Sequence, residues 1–156
     1  MELYLLRHAV PEGRSISGKD SDRELSTQGR MEFIEFLNTL RRLRVTPDKV
    51  ICSPFVRARQ TAELLALEPN IELDDRLRPD GLPIEVVLQN LAAGTRSLLL
   101  IGHQPSIGDL AAMLLSPEAT ASISIDRGSC CKFEIFGNTK GFRAGLLWLV
   151  SPKDFQ

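Results

Sequence analysis

Leu3-Tyr4-Leu5-Leu6-Arg7-His8-Ala9 is the stretch on which the fold turns. Four apolar residues end abruptly in an arginine and a histidine. A short apolar run bounded by charge is the pattern of a buried strand, here Glu2 to Leu6, with the polar pair at its carboxyl end. Open α/β sheets place their ligand crevices along that edge. The chain has two histidines, and the second also follows an apolar run: Leu98-Leu99-Leu100-Ile101-Gly102-His103-Gln104-Pro105. Taken singly, Arg7-His8 could be a solvated strand end. Gly102-His103-Gln104-Pro105 could be a turn before a helix, since proline suits the first helical turn. If the two strands are neighbours, the imidazoles converge and chemistry becomes the leading explanation.

A third run shifts the balance further. Val50-Ile51-Cys52 leads into Ser53-Pro54-Phe55-Val56-Arg57-Ala58-Arg59-Gln60-Thr61-Ala62. Serine as N-cap followed by proline predicts a helix from Pro54 to about Leu67. Arg57 then falls near the first turn, where free N–H groups and the helix dipole already favour an anion. Arg59, roughly 200° further round the helix, is expected at the surface. Three strand ends carrying cationic or hydrogen-bonding groups make an anion site.

Composition bounds what that site can serve. A chain of 156 residues fits one domain, 1–156, with room for a proper core. Nineteen basic residues against twenty acidic ones leave a net charge of -1, so no global attraction draws it to nucleic acid or an anionic membrane. Any preference for phosphate is therefore local. No run is long enough to span a bilayer and no signal-peptide pattern opens the chain, so a cytoplasmic location is expected. Cys52, Cys130 and Cys131 match neither a disulfide framework nor a zinc pattern, and Cys52 reads as a small core residue. No bound metal and no cofactor are expected.

Along the chain, strands and helices alternate. Ser26 or Thr27 caps a helix running to about Leu43, with Phe33, Phe36, Leu37 and Leu40 on one face. A short strand at Ile71-Glu72-Leu73 precedes a charged loop, Asp74 to Pro83. A helix from Ile84 ends near Gly94, a strand spans Ser97 to Ile101, and a helix spans Pro105 to Leu115. Two last strands, Cys131 to Phe136 and Phe142 to Val150, flank a turn expected at Gly137-Asn138. This order predicts a three-layer α/β/α sandwich with a mostly parallel central sheet and an antiparallel edge strand.

Arg-His-Ala, Ser-Pro-x-x-Arg-Ala-x-Gln-Thr-Ala and Gly-His-x-Pro, in this order from residue 7 to 105, resemble the motifs of the histidine phosphatase superfamily, with its phosphoglycerate-mutase-like fold. The short chain and the segment Asp20-Ser21-Asp22-Arg23-Glu24-Leu25-Ser26-Thr27-Gln28-Gly29 look most like the superfamily's small phosphohistidine phosphatases, the SixA type. The resemblance implies that His8 is the phosphorylated nucleophile. It makes Arg7, Arg57 and His103 the phosphate pocket, with Arg23 a further phosphate contact from the first long loop. Ser53 would cap its helix, contact phosphate, or both.

The departures matter as much as the matches. Ala9 stands where the first motif commonly has glycine, and its methyl narrows backbone freedom. Only Asp74 to Pro83 is available as the cap that mutases and many small-molecule phosphatases carry. Arg76 stands where related short members show an acidic residue. Asp20 is therefore the candidate general acid, with Asp22, Glu12 and Asp80 in reserve; Asp20 and Asp22 could equally be solvated loop charges. The expected activity is metal-independent hydrolysis through a phosphohistidine intermediate. The expected partner is a phosphorylated protein, a histidine phosphotransfer domain. The alternatives are a small-molecule phosphomonoesterase with the same site and a non-catalytic phosphohistidine-binding module. A nucleotide-binding domain lacks the Gly-rich loop it would need after the first strand, and mutase activity lacks a cap to retain its intermediate.

Overall fold

A computed structural model describes residues 1–66, 71–118 and 120–155. Its centre is a six-stranded sheet of order β3-β2-β4-β1-β5-β6. The strands are β1 (Glu2–Arg7), β2 (Lys49–Cys52), β3 (Glu72–Leu73), β4 (Ser97–Gly102), β5 (Cys130–Asn138) and β6 (Gly141–Val150). β3, β2, β4 and β1 run parallel to one another, whereas β5 is antiparallel to both β1 and β6. The register puts Arg7 opposite Gly102 and Cys52 opposite Ile101. The carboxyl ends of β2, β4 and β1 thus lie side by side, and the residues that follow them are Ser53, His103 and His8.

Alternation along the strands builds two cores, because successive side chains leave opposite faces of a sheet. Tyr4, Leu6, Val50, Cys52, Leu99 and Ile101 face α1 (Thr27–Arg42) and α2 (Val56–Leu65), packing on Phe33, Phe36, Leu37, Ala58 and Ala62. Leu3, Leu5, Ile51, Leu98 and Leu100 face α3 (Pro83–Ala92) and α4 (Ser106–Leu115), packing on Val86, Val87, Ile107 and Leu110. β4, central and covered on both sides, is buried along its whole length. That is why its sequence is one apolar run with no polar alternation.

Local signals place the helices. Ser26 caps α1, its hydroxyl accepting from Gly29 N–H at 2.9 Å. Gly29 is there because a side chain would not fit: a Cβ would lie 2.2 Å from the Val10 carbonyl oxygen. α3 ends at Ala92 with Ala93 as its C-cap, and Gly94 follows with φ +75°, a left-handed stop.

Two local expectations need correcting. α2 begins at Val56 with Phe55 as its N-cap, so Ser53 lies outside the helix instead of capping it. The serine's hydroxyl is drawn to His103, and the chain needs two further residues to turn into the helix. The expected helix end at Leu67 lies outside the described residues. The last hairpin turns at Thr139-Lys140, because Gly137 and Asn138 still pair with Phe142 and Gly141. Gly137 takes φ +107° within the strand, tight against Gly141, which accounts for a glycine that is not in the turn.

Candidate active site

The two histidine rings meet at the strand ends with centroids 4.9 Å apart. Both are buried, His8 at 4% exposure and His103 at 1%. His8 Nδ1 lies 2.7 Å from the Ala9 carbonyl oxygen. A carbonyl can only accept, so Nδ1 carries the proton and Nε2 presents a lone pair. Arg57 Nε donates to that Nε2 across 3.2 Å. Burial first, then the charges of neighbouring groups, lowers the His8 pKa to about 2, and burial with Arg57 and Arg7 lowers His103 to about 3. Both imidazoles are neutral near pH 7.

Arg57, in the first turn of α2, is buried against Phe55, with its guanidinium carbon 5.0 Å from the ring centroid. Its other donors go to the first long loop: Nη1 to the Asp20 backbone oxygen at 2.7 Å and Nη2 to Asp20 Oδ2 at 3.0 Å. Arg23 Nη1 holds the other carboxylate oxygen at 2.9 Å, and its Nε donates to the Glu12 carbonyl oxygen. Arg7 Nη1 donates to the Ile125 carbonyl oxygen at 2.8 Å. Two buried nitrogens in this cluster, Arg7 Nε and His103 Nδ1, have no hydrogen-bond partner among the described residues. A buried polar atom left so costs free energy, and an oxyanion at the strand ends is the species that would satisfy both.

The structure brings His8, Arg7, Arg57 and His103 together at the strand ends, with Asp20 and Arg23 of the first long loop paired beside them. Hydrogen bonds from Arg23 and Arg57 keep the Asp20 carboxyl below its usual range, so it is ionised. In this arrangement Asp20 is an acceptor joining two guanidiniums. Arg23 acts on the cluster through Asp20. Asp22 bonds Ser17 and Ser21 in the exposed loop, and Glu12 and Asp80 are exposed. Arg76 is occupied by Asp74 and Gln89, and Arg59 is exposed as expected.

Other contributors escaped the sequence reading. Thr61 Oγ1 accepts from Ala9 N–H at 3.0 Å and donates to the Arg57 carbonyl oxygen at 2.7 Å, so one hydroxyl ties the His8 segment to the Arg57 helix. Gln60 Oε1 accepts from Leu25 N–H, anchoring the end of the first long loop. Both lie in the quoted Arg-Ala-x-Gln-Thr-Ala run, which was the available signal. Arg127 is exposed and forms no ion pair among the described residues. It lines a cavity of about 260 Å³ together with Arg7, and Gly128 N–H beside it donates to the Arg7 and His8 carbonyl oxygens. No motif marks Arg127.

A neutral imidazole whose unprotonated nitrogen faces a guanidinium, with two unpartnered buried nitrogens nearby, defines an oxyanion site of the phosphoryl-transfer kind. Comparison with known proteins agrees. Residues 3–79 match the family model of the histidine phosphatase superfamily, branch 1. The phosphohistidine phosphatase SixA of Escherichia coli K12 is 33% identical over 142 residues, covering 81% of this chain and 86% of that protein. An uncharacterised protein of Picosynechococcus sp. is 36% identical over 118 residues, 71% of each chain. A structure of the protein histidine phosphatase SixA complexed with tungstate superposes with a TM-score of 0.83 at 28% identity, covering both chains completely. The chain belongs to the histidine phosphatase superfamily, in its SixA-type branch, and is a hydrolase. Its sheet is the open, mixed α/β sheet of that fold.

Proposed function

We propose that this protein removes phosphate from phosphohistidine on a protein, a histidine phosphotransfer domain, through a covalent intermediate on His8. The observation that carries the reading is the state of His8. Its Nδ1–H is committed to Ala9, its ring is neutral, and its Nε2 lone pair faces the arginine cluster. The names of the SixA relatives support the substrate class, and the tungstate complex of one such protein fits a family that takes tetrahedral oxyanions.

Phosphoryl transfer depends on positioning and charge stabilisation. The substrate phosphoryl brings close to two negative charges. Arg57 and Arg7 offset them, neutral His103 adds a hydrogen bond, and Arg57 moves its Nε–H from His8 to a phosphoryl oxygen. Arginine suits this because its fork of donors stays charged. His8 Nε2 then attacks phosphorus, a new P–N bond forms, and the substrate's P–N bond breaks. The leaving imidazole takes a proton from solvent. Since one P–N bond replaces another, the step makes little demand on a general acid, which agrees with an ionised Asp20. Water then attacks the phosphohistidine, releasing inorganic phosphate and restoring neutral His8.

The want of a cap segment among the described residues favours a protein substrate over a small ester. The segment that could form a cap is used in the fold: Leu77 is fully buried in the core, and the Arg78 carbonyl oxygen accepts from Ser106 Oγ. Three free, buried cysteines suit a reducing cytoplasmic setting. Among the described residues, no helix is long and apolar enough to cross a membrane.

The test is a comparison of rates on a phosphorylated histidine phosphotransfer domain and on a panel of small phosphate esters. A kcat/KM much larger on the protein is expected. Preference for the esters would move the assignment to a phosphomonoesterase. Binding of the phosphorylated domain without turnover would make the protein a recognition module.

A further inference from the structure

Ser53 is fully buried at the end of β2, and neither its Oγ nor its place outside α2 is explained by helix capping. Its Oγ lies 2.8 Å from His103 Nε2 and accepts from Phe55 N–H at 3.3 Å. We propose that Ser53 is a positioning residue. It donates its hydroxyl hydrogen to His103 Nε2 and so fixes that ring's single proton on Nδ1, where it serves the transferring phosphoryl group.

The argument is one of hydrogen-bond accounting. A hydroxyl has one hydrogen to give and two lone pairs to offer. Phe55 N–H occupies one lone pair of Ser53. Among the hydrogen bonds of the described residues, His103 Nε2 is the only partner able to take the Ser53 hydrogen. If the direction were reversed, with Nε2–H donating to Ser53, the buried hydroxyl hydrogen would have no acceptor. His103 Nδ1 would then present a lone pair to the lone pairs of a phosphoryl oxygen. With Ser53 donating, every group is satisfied except Nδ1–H, a buried donor without a partner beside the His8 ring. That is the polarity an oxyanion needs. Burial keeps the ring neutral, so it holds one proton and the tautomer decides what the anion meets. Phe55, edge-on at 5.0 Å between centroids, helps to hold the ring.

The inference rests on the phosphoryl-transfer reading of the site and adds a device to it. The test is long-range ¹H–¹⁵N NMR on histidine-labelled protein, with and without inorganic phosphate, for the native chain, Ser53→Ala and Ser53→Thr. The native chain and Ser53→Thr are expected to protonate His103 at Nδ1. Ser53→Ala is expected to shift the proton toward Nε2 and to weaken inorganic phosphate binding about tenfold, less than deletion of an oxyanion donor outright. An Nε2–H tautomer in the native chain overturns the proposal, as does an unchanged tautomer in folded Ser53→Ala. Should Ser53→Ala fail to fold, the native tautomer decides by itself. The tautomer can be read whether or not the protein turns over a substrate. An inactive His8 would therefore defeat the catalytic reading, whereas a wrong tautomer defeats this one alone.

Discussion

Arg57 Nε donates to His8 Nε2 across 3.2 Å, and the same guanidinium holds Asp20 with its other two nitrogens. The nucleophile's lone pair is therefore oriented by a cation before any substrate arrives. A cation there opposes protonation of the ring, and burial opposes it more strongly.

The first consequence concerns pH. The lowered values, about 2 for His8 and about 3 for His103, keep both rings neutral in the folded state through mild acid. The unfolded chain protonates both near pH ~6.5. Above that pH the two states bind the same number of protons and the histidines contribute no slope. Below it the unfolded state binds more, so stability falls as pH falls, by about 2 kcal/mol per ring between pH 7 and 5. Urea unfolding across that range should show the loss, and the histidine C2–H signals of folded protein should not titrate between pH 5 and 8. A midpoint near 6.5 for His8 would contradict the assigned environment.

Asp20 offers a second check. As an ionised acceptor it competes with phosphate for Arg57, so Asp20→Asn should bind inorganic phosphate severalfold more tightly, measured by isothermal titration. If Asp20 were instead the proton donor, the variant would lose kcat on an alkoxide-leaving ester and change the basic limb of its pH profile. That profile should keep its shape.

Thr61 bridges the two halves of the site from beneath. Thr61→Val preserves shape but strips the buried Ala9 N–H of its acceptor, which should cost about 1–3 kcal/mol of stability. Because the same hydroxyl supports the Arg57 carbonyl oxygen, kcat should fall while the protein remains folded. Chemical denaturation and steady-state kinetics on one preparation separate the two effects.

Gly29 tests the packing that seats the His8 segment. A methyl group there meets backbone at 2.2 Å, with no flexible side chain to give way. Gly29→Ala should destabilise by about 1–3 kcal/mol or more, despite alanine's higher helix propensity. A neutral or stabilising result in thermal unfolding would contradict the close approach of α1 to Val10.

Much of the site was legible because parallel strands write it into the sequence. Arg7-His8, Ser53 and His103 each follow an apolar run, and neighbouring β1, β4 and β2 bring the three ends together without further information. The loop residues were harder. Whether Asp20 donates a proton or accepts hydrogen bonds depends on Arg57 lying within 3.0 Å, a tertiary fact with no signature in sequence spacing. Thr61 and Gln60 act on backbone groups of distant segments, so their roles follow from how α2 docks. Arg127 comes from the loop before β5, after a stretch with no clear periodicity. The Gly137-Asn138 expectation failed because a bend within a strand and a turn between strands use the same residues.

The central claim is that His8 accepts phosphate on Nε2, its Nδ1 being committed to the Ala9 carbonyl oxygen. The most direct measurement is rapid quench of the enzyme with ³²P-labelled phosphohistidine protein, followed by alkaline digestion and separation of the two phosphohistidine isomers. The expected result is transient label on His8 as the Nε2-phosphorylated isomer, lost in His8→Ala. Label on Nδ1, or turnover without any labelled His8, would contradict the account.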